Sequence, residues 1–149
     1  MTRKELAMKY FLEGYNCSQA VVLAFADLIP NSKDLVKIAA PFGGGMSRMR
    51  ETCGAVSGMV LVVGNLYGYD TPETGDKKLE LYATTQPLLK KFEEKYGSLT
   101  CRVLRGLTQV HDDPTPTKRD ANFYKTTPCK ELVGGAAEIL DEFISQKKN

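Results

Sequence analysis

The sequence predicts an all-α protein, a single-domain bundle of about six or seven helices of which two are largely buried. Three observations support this prediction. Apolar residues recur at helical spacing along almost the whole chain, residues typical of helix starts and stops bound these segments, and no segment shows the alternation expected of a β-strand. With 149 residues, one domain spanning 1–149 can bury about 68–70% of its unfolded surface, so it does not need a metal or a disulfide merely to fold.

Three helices are predicted in the N-terminal part of the chain. Residues 2–13 form the first, which ends near Gly14. Asn16 is a suitable N-cap for the second, predicted over residues 17–29, and the third covers residues 33–40. The second helix is apolar on nearly all sides, which is typical of a buried helix.

A glycine-rich loop over residues 41–51 separates these helices from the next pair. Thr52 is a suitable cap for a fourth helix over residues 53–67, again mostly apolar. The fifth helix is predicted over residues 74–96, and Pro87 should kink or divide it.

The C-terminal part predicts two more helices. Ser98 caps a short sixth helix that runs to about residue 105, and residues 106–125 form an irregular loop. A threonine followed by proline, Thr127-Pro128, is a strong start signal for the last helix.

Composition excludes several kinds of protein. Twenty Lys and Arg residues against 18 Asp and Glu give a net charge of +2, and basic residues never run beyond pairs, so we expect no nucleic-acid partner. No apolar stretch approaches the about 20 residues of a membrane span, and the N-terminus has no signal-peptide pattern, so we expect no membrane insertion and a cytoplasmic location. The single histidine, His111, excludes sites that need several histidines.

The four cysteines are the main candidates for chemistry, because each is predicted to lie in the first turn of a helix: Cys17, Cys53, Cys101 and Cys129. N–H groups in the first turn lack partners within the helix, and the helix dipole favours negative charge there. This position is therefore expected to lower a thiol pKa from about 8.5 toward about 7 and to favour the reactive thiolate.

The sequence does not show whether the four cysteines converge, and it leaves their chemical state open. Two thiolates about 4 Å apart repel by about 4 kcal/mol at an effective dielectric of about 20, so a converged cluster must hold protons, disulfides or a metal. Neighbouring arginines offset part of such charge; they are Arg48, Arg50, Arg102 and Arg105. No CxxC spacing is present, which argues against a zinc ribbon, a thioredoxin motif or a ferredoxin pattern.

Several glycines near the cysteines are candidates for binding a ligand. Gly43, Gly44 and Gly45 are suited to an anion-holding nest beside Cys53, with Arg48 adding positive charge, or to a tight turn between packed helices. Gly54 allows another backbone or a cofactor to approach Cys53 closely.

The order of these motifs resembles that of a known family, C_GCAxxG_C_C. The resemblance lies in Gly14-Tyr-Asn-Cys-Ser-Gln-Ala20, Phe42-Gly-Gly-Gly45 and Cys53-Gly-Ala-Val-Ser-Gly58, followed by the single cysteines Cys101 and Cys129. It extends from residue 4 to about residue 144. The resemblance implies a redox role for the four cysteines.

Three interpretations remain open at this stage. The first is a cytoplasmic, thiol-based oxidoreductase that works by thiol–disulfide exchange or electron transfer, with Cys17 and Cys53 favoured as one reactive region. The second is a protein in which the four cysteines bind zinc or an iron–sulfur cluster. The third is a helical adaptor with buried, inert cysteines. A homodimer is expected because the two apolar helices exceed what a small domain buries, and a redox partner or small molecule is expected to react with the site.

Overall fold

The computed structural model describes residues 1–72, 75–108 and 111–147 and confirms the all-α class. Within these residues the chain forms helices, and β-type pairing is limited to an isolated antiparallel bridge between Thr52 and Thr100. No described helix has the length and apolar character needed to cross a membrane.

The helices follow one another through short connections. Their bounds are α1 (Arg3–Leu12), α2 (Cys17–Leu23), α3 (Ser32–Ala39), α4 (Gly43–Met46), α5 (Gly54–Tyr67), α6 (Lys77–Tyr96), α7 (Cys101–Leu104), α8 (Ala121–Thr126) and α9 (Cys129–Lys147). Two 3-10 turns, Ala26–Leu28 and Ala40–Phe42, continue the path after α2 and α3.

Helix α2 lies at the centre of the bundle. It packs along α5 and also contacts α1, α3 and α9, while α1 packs along α9. Small residues bring α2 and α5 together: a Cβ added to Gly58 would lie 2.6 Å from the carbonyl oxygen of Ser18, and one added to Gly54 would lie 2.3 Å from Sγ of Cys17. Because these contacts advance in the same direction along both helices, the N-termini of α2 and α5 lie side by side.

Asn16 caps α2 as predicted. Its Oδ1 accepts a hydrogen bond from the N–H of Gln19 at 3.0 Å, and the side chain of Gln19 accepts from the N–H of Asn16 at 3.3 Å. The helix is shorter than predicted, however, because it ends at Leu23 and the backbone of Phe25 leaves helical geometry, with φ −117° and ψ 16°. This turn places the Phe25 ring in the core, where it is fully buried.

The Thr52–Thr100 bridge shifts two predicted helix starts. Thr52 and Ser98 were expected to cap α5 and α7, but the bridge holds Thr52 and Thr100 in extended backbone. Consequently α5 begins at Gly54 and α7 at Cys101.

Two further predictions need correction. Helix α6 runs through Pro87 as one helix, so of the two predicted effects, a kink or a division, the division does not occur. The predicted start of this helix, Thr74, lies outside the described residues. The loop predicted over residues 106–125 contains the short helix α8, which is capped by Asp120 through a hydrogen bond from the N–H of Phe123 at 2.9 Å.

Candidate functional site

All four cysteines line one cavity of about 530 Å³. Cys17, Cys101 and Cys129 are the first residues of α2, α7 and α9, so these three lie in first turns as predicted. Cys53 instead occupies the N-cap position, immediately before α5. All four are free thiols. The fold therefore brings together cysteines that are 28 or more residues apart in the sequence.

The Thr52–Thr100 bridge sets the relation between Cys53 and Cys101. The N–H of Cys53 donates to the carbonyl of Leu99 at 2.8 Å, and the N–H of Cys101 donates to the carbonyl of Glu51 at 2.6 Å. This pattern makes the two threonines a non-hydrogen-bonded antiparallel pair, so the two cysteines are diagonal neighbours on the opposite face. Diagonal Cα atoms lie about 7–8 Å apart. A disulfide requires Cα atoms about 7 Å apart or less, so the two Cα atoms must approach each other for a disulfide to form.

Cys17 lies directly against the start of α5. Its sulfur occupies the space where a side chain on Gly54 would begin, since a Cβ there would be 2.3 Å from Sγ and 2.9 Å from the carbonyl oxygen of Phe42. A negative charge on Cys17 or on Cys101 raises the pKa of both Cys53 and Cys129. The thiols are thus close enough to influence one another's ionisation.

The glycine-rich loop has an unusual left-handed backbone. Gly44 and Gly45 have φ of 69° and 70°, and four residues with side chains, Met46, Ser47, Arg48 and Arg50, also have positive φ. Such residues cost about 1–3 kcal/mol each in strain, which the surrounding structure must offset. The loop therefore turns tightly at these residues, and two of its arginines, Arg48 and Arg50, line the cavity.

Contacts on both sides hold this loop in place. A Cβ on Gly43 would lie 2.5 Å from Nδ2 of Asn16, and one on Gly45 would lie 2.6 Å from Cβ of Cys101. The N–H of Glu51 donates to the carbonyl of Gly45 at 2.9 Å. The loop is consequently packed between the start of α2 and the start of α7.

The two loop arginines share one carboxylate. Nη2 of Arg48 and Nη2 of Arg50 each lie 3.0 Å from Oδ2 of Asp112. Arg48 also donates to the carbonyl of Asp113 at 2.7 Å and to the hydroxyl of Thr117 at 2.7 Å. The guanidinium groups hold the pKa of Asp112 below its ordinary value, so this carboxylate remains charged beside the cavity.

Arg50 connects this charge network to a thiol. Its side chain is 4% exposed, and its Nη1 donates to Sγ of Cys101 at 3.8 Å. A buried guanidinium favours a negative charge on the sulfur that it contacts. Cys101 is therefore the cysteine whose sulfur lies within hydrogen-bond distance of a buried arginine.

The expected lowering of thiol pKa values is wrong for three of the four cysteines. Burial raises the pKa of Cys17, Cys53 and Cys129, because removal from water disfavours the charged form. Backbone N–H groups near Cys17 and Cys53 oppose this rise but do not outweigh it. Desolvation exceeds the effect of the helix start at these positions, and the sequence could not show how deeply the sulfurs are buried.

The described residues do not fit the metal interpretation. Among them, no group of three or more Cys, His, Asp or Glu side chains is placed to hold a metal ion. A zinc or cluster site needs its sulfur ligands at about 2.3 Å from one centre. The cysteines share a cavity, but they do not converge on a single point as ligands do.

The structure also places the other sequence candidates. Gly43, Gly44, Gly54 and Arg48 line the cavity. Gly45 packs against Cys101, since a Cβ on Gly45 would lie 2.6 Å from Cβ of Cys101. His111 is exposed and lies with its Nε2 3.7 Å from a carboxylate oxygen of Glu51.

Sequence reasoning missed one wall of the cavity. The segment around Pro114 and Pro116 was predicted only as part of the irregular loop over residues 106–125, but both prolines line the cavity. So does Arg119, whose guanidinium stacks 4.0 Å from the ring centroid of Phe11 and donates to the carbonyl of Phe11 at 2.9 Å. These contacts link residues more than 100 positions apart, and no local pattern indicates them.

Comparison with known protein families identifies the same family that the order of the motifs resembles. The family described as "Putative redox-active protein (C_GCAxxG_C_C)" matches residues 15–143. No curated protein and no solved structure gives a significant match.

Proposed function

This chain belongs to the C_GCAxxG_C_C family, and we propose that it carries out thiol–disulfide exchange inside the cysteine-lined cavity. The observation that carries the proposal is the contact between Nη1 of Arg50 and Sγ of Cys101 in a cavity with three further free thiols. A thiolate is the form that attacks a disulfide, and a guanidinium contact stabilises that form.

Cys101 is the attacking cysteine in this proposal. Its thiolate attacks one sulfur of a substrate disulfide, forming a mixed disulfide, and the other substrate sulfur leaves as a thiolate that takes up a proton. A second cysteine then loses its proton and attacks Sγ of Cys101, which releases the remaining substrate thiol. Two electrons pass from two protein thiols to the substrate, and the protein keeps one disulfide.

Cys53 is the favoured resolving cysteine because the Thr52–Thr100 bridge makes it the diagonal neighbour of Cys101. Cys17 is the alternative, since its sulfur lies against Gly54. The cycle is completed when an external dithiol, either a small molecule or a protein partner, reduces the protein disulfide.

The experiment combines thiol counting with trapping of the mixed disulfide. The protein is purified without oxygen, its metal content and visible spectrum are recorded, and it is then treated with one equivalent of a small disulfide. In Cys53→Ser a mixed disulfide on Cys101 should accumulate, whereas the unchanged protein should form an internal Cys53–Cys101 disulfide, as identified by peptide mass spectrometry. Cys101→Ser should react far more slowly.

Each other outcome has a defined meaning. An internal disulfide that still forms in Cys53→Ser but not in the double variant with Cys17→Ser would assign the resolving role to Cys17. Stoichiometric zinc or iron would overturn the proposal in favour of the metal interpretation. Four thiols that react only after denaturation would overturn it in favour of an adaptor with inert cysteines.

The proposal includes a cytoplasmic location and a homodimer. Free cysteines in this compartment commonly serve redox chemistry. The dimer was expected because the two apolar helices exceed what a small domain buries. This reason is weaker for α5, which buries seven residues within one chain. Val60 of α5 is 36% exposed and remains available for a dimer contact. Sedimentation velocity provides the test, and a monomeric mass over a range of concentrations would rule the dimer out.

A further inference from the structure

The wall of the cysteine cavity is strongly cationic. Among the described residues, four arginines and no acidic side chain line it: Arg48, Arg50, Arg105 and Arg119. Asp112 lies beside the cavity and pairs with Arg48 and Arg50, so a single carboxylate serves two guanidinium groups. Even with a thiolate on Cys101, the wall retains an excess of positive charge.

Two of these arginines have buried donors without partners. Nε of Arg50 and Nε of Arg105 are both buried and make no hydrogen bond, and the whole Arg50 residue is 3% exposed. Among the described residues the Arg105 guanidinium makes no hydrogen bond or salt bridge. It lies 5.9 Å from the centroid of the Phe123 ring, and its charge opposes the rise in the pKa of Cys129 that burial causes. Buried donors are nearly always paired in proteins, so these two guanidinium groups, which both line the cavity, are incompletely paired and suited to an anion bound there.

The depth of the thiols limits the size of that compound. Cys53 and Cys101 are 5% and 6% exposed, so the disulfide of a folded protein cannot reach their sulfurs. A volume of about 530 Å³ lies within the range for small-molecule sites. Phe11 and Phe123 provide an apolar wall against which methylene groups can pack.

From these observations we infer that the substrate of the cavity is a small anionic disulfide, with carboxylate groups held by Arg105 and Arg50. The inference rests on the proposed function for its sulfur chemistry. In the balanced reaction, the substrate disulfide bond is broken and one protein disulfide is formed, while two electrons and two protons pass to two carboxylate-bearing thiols. The substrate disulfide is itself the oxidant.

Three disulfides of similar size test the inference because they differ mainly in charge. Dithiodipropionate is a dianion, its diamide is neutral, and cystamine is a dication. Each rate of protein oxidation is divided by the rate with free cysteine, which corrects for intrinsic reactivity. We expect the dianion to react at least about tenfold faster than the diamide, cystamine to be the slowest, and the preference to shrink as salt screens the charges.

Variants locate the effect. Arg105→Gln should lower the corrected rate for dithiodipropionate by about tenfold, as expected for the loss of a charge-assisted hydrogen bond, and should not slow cystamine. Lys90→Gln removes the same charge from an exposed position on α6 outside the cavity wall, and it should leave all three rates unchanged. Equal corrected rates for the three disulfides, or equal effects of the two variants, would overturn the inference.

A binding measurement separates this inference from the proposed function. Thiodipropionate has the same carboxylates but a thioether in place of the disulfide, so it binds without reacting. Calorimetry with the variant in which all four cysteines are serine should detect its binding, and Arg105→Gln in that background should weaken it. Binding without any redox activity in the unchanged protein would retain the anion site and reject thiol exchange, whereas thiol exchange without binding would reject the anion site alone.

Discussion

Replacement of Gly54 by alanine is a direct test of the contact between α2 and α5 at the site. A Cβ on Gly54 would lie 2.3 Å from Sγ of Cys17 and 2.9 Å from the carbonyl oxygen of Phe42. Favourable carbon contacts begin at about 3.5 Å, so the sulfur contact is more than 1 Å too short. Either Cys17 must leave its rotamer or the start of α5 must move.

The expected magnitude follows from those two responses. Forcing an extra methyl group into a packed interior costs about 1–3 kcal/mol, and an off-rotamer side chain costs about 0.5–1.5 kcal/mol. The better helix propensity of alanine offsets up to about 1 kcal/mol. We therefore expect Gly54→Ala to lower the free energy of unfolding by about 0.5–3.5 kcal/mol, and to slow the disulfide exchange because Cys17 is displaced.

Gly64→Ala is the matched control because Gly64 lies in the same helix and a Cβ there would meet nothing within 4 Å. This change should stabilise the protein by about 0.5–1 kcal/mol through backbone entropy alone. Urea unfolding of the reduced proteins gives both values, and the rate of oxidation by dithiodipropionate gives the effect on the site. If the two variants had the same stability and the same oxidation rate, the close contact at Gly54 would be refuted.

Three other perturbations probe the charge, the thiols and the loop. Arg50→Gln should slow oxidation by about 10–100-fold, as expected for a lost charge-assisted hydrogen bond. Arg50→Lys should recover part of that loss. Equal oxidation rates in Arg50→Gln and Arg50→Lys would contradict a role for positive charge at Cys101. Burial raises the pKa of Cys53, so the folded state holds the thiol proton more tightly than the unfolded state does. The free energy of unfolding should therefore fall as the pH rises above about 9, by up to about 1.4 kcal/mol per pH unit. Denaturant titrations should show a shallower fall for Cys53→Ser than for the reduced unchanged protein, and identical slopes would contradict the raised pKa of Cys53. Gly45 and Gly106 have similar φ values of 70° and 65°, but of the two only Gly45 would bring an added Cβ into a close contact, 2.6 Å from Cβ of Cys101. Thermal unfolding should therefore show a larger loss of stability for Gly45→Ala than for Gly106→Ala. Equal losses of stability would mean that backbone strain alone sets the effect of both substitutions.

The part of the fold that could be predicted from sequence is the part that local chemistry determines. Asn16 was identified as the cap of α2 because a capping side chain bonds within its own first turn. The apolar character of α5 likewise predicted its burial. The Thr52–Thr100 bridge could not be predicted, since it joins residues 48 positions apart through two backbone hydrogen bonds and has no strand pattern around it.

In the candidate site, too, the features set by local sequence could be predicted, and those set by long-range packing could not. The four cysteines and the glycines were visible as motifs, but their convergence depends on how α2, α5, α7 and α9 pack. Arg119 was missed because its partners, the carbonyls of Phe11 and Tyr15, lie at the other end of the chain. The direction of the thiol pKa shifts was also mistaken, because it depends on burial rather than on position within a helix.

The charge of Cys101 favours an order of steps in the proposed reaction. Negative charge on Cys101 is one of the influences that raise the pKa of Cys53. When Cys101 enters a mixed disulfide, its sulfur carries no charge, so this repulsion disappears and Cys53 loses its proton more readily. The loss of this charge therefore favours ionisation of Cys53 once Cys101 has reacted, while burial and Cys17 still raise its pKa. If this is correct, Cys53 should be alkylated by iodoacetamide faster in Cys101→Ser than in the unchanged reduced protein at the same pH, and an unchanged alkylation rate would show that the two thiols ionise independently.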